Sequence, residues 1–413
     1  MTHARRARRQ AVSAVAVLGL ATFGILALSV APAAATTAGD EATFRTAWTN
    51  AAETTIDLTA DVTLTCGGGG VAVRNSSTAL TLDGHGHTIT QTCPNNGVLQ
   101  QDGAGGLTFR NVTITGGHTP AGLDGGGIQA EGNTVVLDHV ILTANSAGRG
   151  GGGLHSGNTA NITITDSTIS NNTSGTENGG GIAVGGGDSV VEITNSTISG
   201  NTAGAEDGGG VVVGGGGSTL AITNSTISGN TAPEGGGIAG GGGNGTLSLV
   251  YATVVQNTAP SGANVFIGGP GTHTSFASVI GLPQGGGANC EVGSFGFVSA
   301  GYSFEQGANT CDFGTGAGDV VNGPNPLLTG LASNGGPTQT RLPQPGSPLV
   351  DAIPTGSCQA DGAGGIGADQ RGVARPQAAG CDIGAVEIEV TGPSTPGGPT
   401  PAVPVEAVAR FTG

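Results

Sequence analysis

The stretch Gly179-Gly180-Gly181-Ile182-Ala183-Val184, followed by Val191-Glu192-Ile193-Thr194-Asn195-Ser196-Thr197-Ile198-Ser199-Gly200-Asn201, is the unit from which the chain is built. Its triple glycine leads into an aliphatic residue five times, at Ile128, Leu154, Ile182, Val211 and Ile238, which are 26, 28, 29 and 27 residues apart. An asparagine keeps step with it at Asn145, Asn172, Asn201, Asn230 and Asn257, at intervals of 27, 29, 29 and 27. Two columns that stay in phase over five repeats mean a stacked architecture, each repeat one turn of a solenoid.

The columns between these markers give the repeat its local structure. Leu137, Ile164, Ile193, Ile222 and Leu249 form one aliphatic column, and Leu142, Ile169, Ile198, Ile227 and Val254 another. Val140, Ser167, Ser196, Ser225 and Ala252 form a column of small residues. Polar residues alternate with these, the period of a half-buried strand. No repeat can bury its apolar side alone, so the coils must stack at about 4.8 Å, like residue over like. Stacked asparagines can bond each other and the corner backbone, and asparagine tolerates the left-handed conformation. The triple glycines suit a second corner that needs positive φ or close backbone approach.

Outward from the repeats, strand-like pieces begin at Thr55–Leu58 and Val62–Leu64 and recur at Leu80–Ile89 and Leu107–Ile114. Before them, Glu41 to Ala52 has helical character, with Phe44 and Trp48 on one face. A short helix there would cover the open end of the core, which otherwise offers bare strand edges. Beyond the repeats the pattern loosens from Phe266 to Thr329, and the chain changes character from Asn325 to Glu387.

Arg5, Arg6, Arg8 and Arg9 precede an uncharged run from Ala11 to Ala31 and then Ala33-Ala34-Ala35, the pattern of an export signal cleaved after Ala35. Left uncleaved, that run is long enough to span a bilayer. The remainder carries 8 arginines, no lysine and 28 acids, a formal charge of −20, and so excludes nucleic acid and anionic membrane as partners. Six cysteines fit an oxidising compartment. Locality favours the couples Cys66 with Cys93, Cys290 with Cys311 and Cys358 with Cys381 out of the 15 pairings six cysteines allow. After Glu389 a Pro/Gly/Thr tail runs to Gly413.

These residues resemble the secreted bacterial parallel β-helix proteins of the pectate-lyase-like superfamily. The G-G-G-[ILV] and S-G-N-T-A elements are similar to the repeats of polymorphic outer-membrane adhesins, with Ile198-Ser199-Gly200-Asn201 where those carry F-x-x-N. The C-terminal run N-P-L-L … S-P-L-V-D-A … D-Q-R-G-V-A-R-P … C-D-I-G-A-V-E looks like the "choice-of-anchor Q" region that closes many surface β-helix proteins. The resemblance covers roughly residues 41–389. It implies an all-β, right-handed single-stranded parallel β-helix with a capping helix and an irregular closing region. The expected organisation is a signal at 1–35, the β-helix with its cap at 36–265, final coils and closing region at 266–389, and a disordered tail at 390–413.

Some β-helix relatives cleave polysaccharides, which takes clustered carboxylates with a base, or paired carboxylates. The column through Asp166 reads His139, Asp166, Asn195, Asn224, Tyr251, and that through Asp138 reads Asp138, Thr165, Thr194, Thr223, Val250. Asp138 and Asp166 are an isolated diagonal pair. Gly84-His85-Gly86 reads as a turn, and His85, His87 and His118 lack a carboxylate shell for a metal. Asp369, Arg371, Arg375, Asp382 and Glu387 read as ion pairs of the closing region. The sequence therefore assigns no catalytic, cofactor-binding or metal residue and no cofactor.

The leading expectation is a secreted or cell-surface, adhesin-like or structural module, with a polysaccharide or a host or neighbouring cell surface as partner. The first alternative is a lyase or glycoside hydrolase, which would require an acidic or Arg-containing groove around Gly116–Asp124 or Thr173–Asn178. The second is an ice- or surface-binding solenoid, using the threonine column Thr168, Thr197, Thr226 and Thr253.

Overall fold

The computed structural model describes residues 35–389, apart from 133, 158, 241–242, 315 and 359–365. The expected signal, Ala35 aside, and the expected tail lie outside the described residues. Each full coil contributes one short strand to each of three parallel sheets, and Ser146–Ala147, Thr173–Ser174 and Thr202–Ala203 add a small fourth sheet. In the coil beginning at Gly179 these are Ile182–Val184 in sheet 1, Val190–Thr194 in sheet 2 and Thr197–Ser199 in sheet 3. Sheet 1 has 9 strands, and sheets 2 and 3 have 11 each.

Neighbouring coils pair in register, so Ile164 lies against Ile193, Ile193 against Ile222 and Ile222 against Leu249. The aliphatic columns fill the bore and are fully buried. Each such side chain contributes about 1.5–3 kcal/mol before chain entropy is subtracted. Strands continue past Gly281 through Val298–Gly301 and Phe304–Gln306 to Val320–Gly323, although their sequence has lost the repeat.

The corners divide their work among neighbouring residues. The first glycine of each triple has positive φ, from 57° at Gly235 to 71° at Gly208. The second and third have no room for a side chain: a Cβ on Gly126 would lie 2.5 Å from Gly152 O, and one on Gly127 2.6 Å from Gly153 O. At the opposite corner the asparagines are buried and bond one another, but they are not the left-handed residues. That conformation falls one position earlier, at Ala144, Asn171, Gly200, Gly229 and Gln256. The asparagine is thereby freed to point inward.

Each asparagine Nδ2 donates to the Oδ1 of the next, 3.1 Å from Asn145 to Asn172 and 3.0 Å from Asn172 to Asn201 and from Asn201 to Asn230. The ladder outlasts the repeat: Asn257 donates to Asn264, which stands where earlier coils have the third glycine, and Asn264 donates to Asn289. It ends on Glu305, a buried carboxylate in the column of Ile280, which accepts from Asn289 Nδ2 at 3.3 Å and from Thr310 N at 2.9 Å. The small-residue column is also a ladder, since Ser167, Ser196 and Ser225 each accept an N–H from the preceding coil.

The helix spans Glu41–Thr49 behind an Asp40–Thr43 capping box. It seals the first coil with Phe44 and Trp48, and Trp48 Nε1 donates to Ala72 O at 3.0 Å. Arg74, wholly buried, ties the helix end to that coil by donating to the carbonyls of Trp48, Asn50 and Glu53. Disulfides join Cys66 to Cys93, Cys290 to Cys311 and Cys358 to Cys381, the three local couples expected.

The closing region does not sit on the last coil alone. It folds back along the outer face of sheet 3. Thr338 bonds Asn195 O, Gln370 bonds Thr197 and Thr226, Arg341 bonds Ser228, and Ala385 N donates to Thr253. The Arg375 guanidinium lies 4.2 Å over the Tyr251 ring and 2.9 Å from Glu387.

Candidate functional site

The five central coils, those of Ile128, Leu154, Ile182, Val211 and Ile238, enter sheet 1 through a loop that ends in the triple glycine. Because the glycines of successive coils hydrogen-bond backbone to backbone, Gly126 N to Gly151 O and Gly152 N to Gly179 O, the loop residues before them are stacked as well. Those residues are Leu123-Asp124, Arg149-Gly150, Glu177-Asn178, Glu206-Asp207 and Pro233-Glu234. One guanidinium ties three coils together: Arg149 Nη1 lies 3.2 Å from Asp124 Oδ2 and Arg149 Nε 2.7 Å from Glu177 Oε1. The hydrogen bond to Glu177, with the charge of Asp124, raises the Arg149 pKa above its ordinary value. Asp124 is almost buried and accepts from Gly150 N at 2.9 Å.

The outer face of sheet 1 runs Gln129, His155, Ala183, Val212, Ala239 and Phe266 across successive coils. His155 Nδ1 is 3.5 Å from Glu131 Oε1, and its Nε2 is 3.9 Å from Asp124 Oδ2. The contact with His155 is the main reason that the Glu131 carboxyl is held below the usual range. These side chains line a groove of about 450 Å³. Its floor continues as Ala183 and Val212, and its far wall is glycine: Gly157, Gly185, Gly186 and Gly214. One end is thus charged and the other small and apolar. Further along the same corner, burial and the charges of Glu234 and Glu206 push the Asp207 carboxyl up.

The loops at Gly116–Asp124 and Thr173–Asn178 therefore each supply one carboxylate, Asp124 and Glu177, to an acidic groove whose arginine, Arg149, comes from the loop between them. The column reading missed its full extent, because the loops before the glycines differ in length and their acids fall out of alignment. An acid one or two residues before the triple glycine in four of five repeats was the available signal.

The other sequence candidates fall elsewhere. Asp138 and Asp166 are brought together, with His139, in a group whose ligand atoms lie within 4.8 Å of one another. Asp138 also faces Arg110 at 3.6 Å, and both His139 and Asp166 are left-handed corner residues, so the cluster is built by the turn. His85 stands by Asp57 and Asp83, and His87 by Asp61, at the corner between sheets 2 and 3. His118 lies in the loop leading to sheet 1, so the three histidines do not meet. Asp369 pairs with Arg371, and Arg375 with Glu387, inside the closing region. Of the threonine column, Thr197, Thr226 and Thr253 are buried beneath that region, which removes the flat exposed array an ice-binding surface needs.

Fold and corners together define a right-handed parallel β-helix with an open groove on one sheet. In agreement, the family model described as right handed beta helix region matches residues 96–278. No curated protein and no solved structure matches the chain.

Proposed function

We propose that the chain is a secreted or cell-surface β-helix module that engages a polysaccharide, on a neighbouring cell or in the surroundings, without turning it over. The observation that carries this reading is the groove on sheet 1. It is open, crosses successive coils, and combines charged groups with a flat apolar floor, the mixture by which extended polar chains are held. A non-catalytic role is favoured because Asp124 and Glu177 are both engaged by Arg149. A general acid or nucleophile would have to be released from that pairing first. Three disulfides are compatible with an oxidising compartment, and among the described residues no helix is long and apolar enough to cross a membrane. The acidic body disfavours nucleic acid.

A second reading, a carbohydrate-active enzyme, is favoured by one specific feature: the nearly buried Asp124 beside His155. A panel of plant and bacterial polysaccharides separates the two. Retention on a polysaccharide with no new reducing ends and no unsaturated products supports the module. Turnover that disappears in Asp124→Asn would establish the enzyme instead.

A further inference from the structure

The groove has a charge that narrows its ligand. Three carboxylates, Asp124, Glu131 and Glu177, share the groove with one guanidinium, Arg149, and the His155 imidazole, and the acidic corner continues with Glu206, Asp207 and Glu234. Glu131 follows the strand Ile128–Ala130 and Glu177 precedes Ile182–Val184, two strands along, with side chains 52% and 42% exposed, so both can reach an occupant. A polyuronate would meet this field with its own negative charge. A metal ion bridging Asp124 and Glu177 does not solve the problem, because Arg149 already occupies the position between them. Among the described residues, the group with three ligand atoms within 4.8 Å of one another is at Asp138 and not in the groove.

The field favours an occupant that brings positive charge of its own. Its shape is set by the trough, which advances one coil, about 4.8 Å, at a time over a floor of Ala183 and Val212. The floor is flat and small, suited to the face of a hydroxylated ring more than to the bulky side chains of a peptide.

We propose that the groove binds an extended polysaccharide bearing protonated primary amines, with ring faces on Ala183 and Val212 and ammonium groups between Glu131 and Glu177. The proposal rests on the reading of the chain as a polysaccharide-binding module and adds the charge class of the polysaccharide.

Calorimetric titration of the purified full chain at pH 6 and low salt tests it, using glucosamine oligomers, their N-acetylated forms and galacturonate oligomers. The amine-bearing oligomers are expected to bind at least about tenfold more tightly than either of the others. Glu131→Gln and Glu177→Gln should each weaken that binding by about tenfold while leaving the N-acetylated oligomers unaffected. Ala183→Trp, an outward substitution that fills the trough, should abolish it. Amine binding that survives Ala183→Trp would be unspecific attraction to an acidic body and would overturn the proposal, as would a lysine-rich peptide binding equally well. Neutral or anionic oligomers bound as tightly as the amine and blocked by Ala183→Trp would overturn the charge assignment and leave the module standing. Failure of all three oligomers to bind would overturn both.

Discussion

Asn201 shows how much one side chain can hold in a stack. Its Oδ1 accepts from Asn172 N and Nδ2, and its Nδ2 donates to Ile169 O and Asn230 Oδ1. Alanine there strands several buried partners, each costing about 1–3 kcal/mol when left unpaired. Asn201→Ala should therefore destabilise the chain by about 3–5 kcal/mol in chemical denaturation, whereas Asn161→Ala, on an exposed strand position, should cost less than about 0.5 kcal/mol. Equal effects would mean that the ladder is incidental. The asparagine column was visible in the sequence as a spacing. Its extension through Asn264 and Asn289 to Glu305 was not, because there the ladder passes to a different position of the coil.

At the scale of the element, the closing region behaves as a strap along sheet 3. Gln370 is its main rivet, bonded to Thr197, Thr226 and Thr338 at once. Gln370→Ala should lower hydrogen-exchange protection across residues 366–389 while the strands at Leu137 and Ile164 keep theirs; uniform loss would show that strap and solenoid unfold together. The strap is also sensitive to pH. Burial, resisted by the N–H groups of Asp351 and Ile388, pushes the Asp382 carboxyl up to about 6. The folded state then holds a proton that the unfolded chain, with a carboxylate value of about 4, has already lost. Stability from this group is full below about 4 and declines as pH rises to about 6. Burial raises Glu305 too, which acts in the same direction at the end of the bore. Protection factors in the strap should thus be higher at pH 5 than at pH 7.5, and Asp382→Asn should flatten that dependence. Protection that rises with pH in the unsubstituted chain would contradict the assignment.

For the molecule as a whole, stability is a sum over neighbouring coils plus what seals the two ends. The N-terminal seal combines the helix, buried Arg74 and the Cys66–Cys93 bridge, which spans 27 residues. Replacing both cysteines by serine should cost about 3 kcal/mol, read as a lower denaturant midpoint, with first loss of structure at the helix end. A loss confined to the opposite end would refute a sealing role.

The sequence by itself determined the solenoid, its short strands, the aliphatic bore, the glycine and asparagine corners and the capping helix, and it favoured the local disulfide couples. It could do so because each of these depends on residues one period apart, and a repeat writes that distance into the chain. Only the tertiary structure decided the path of the closing region, more than 100 residues from the coils it covers, as the bonds of Gln370 to Thr197 and Thr226 make plain. That path turned a threonine column that read as surface into an interior. The groove was legible in part: the loops were the right place to look, but loops of unequal length hide which charges become neighbours. Stacking of the triple glycines restores the register that the loops lose, and so brings Asp124, Arg149 and Glu177 side by side.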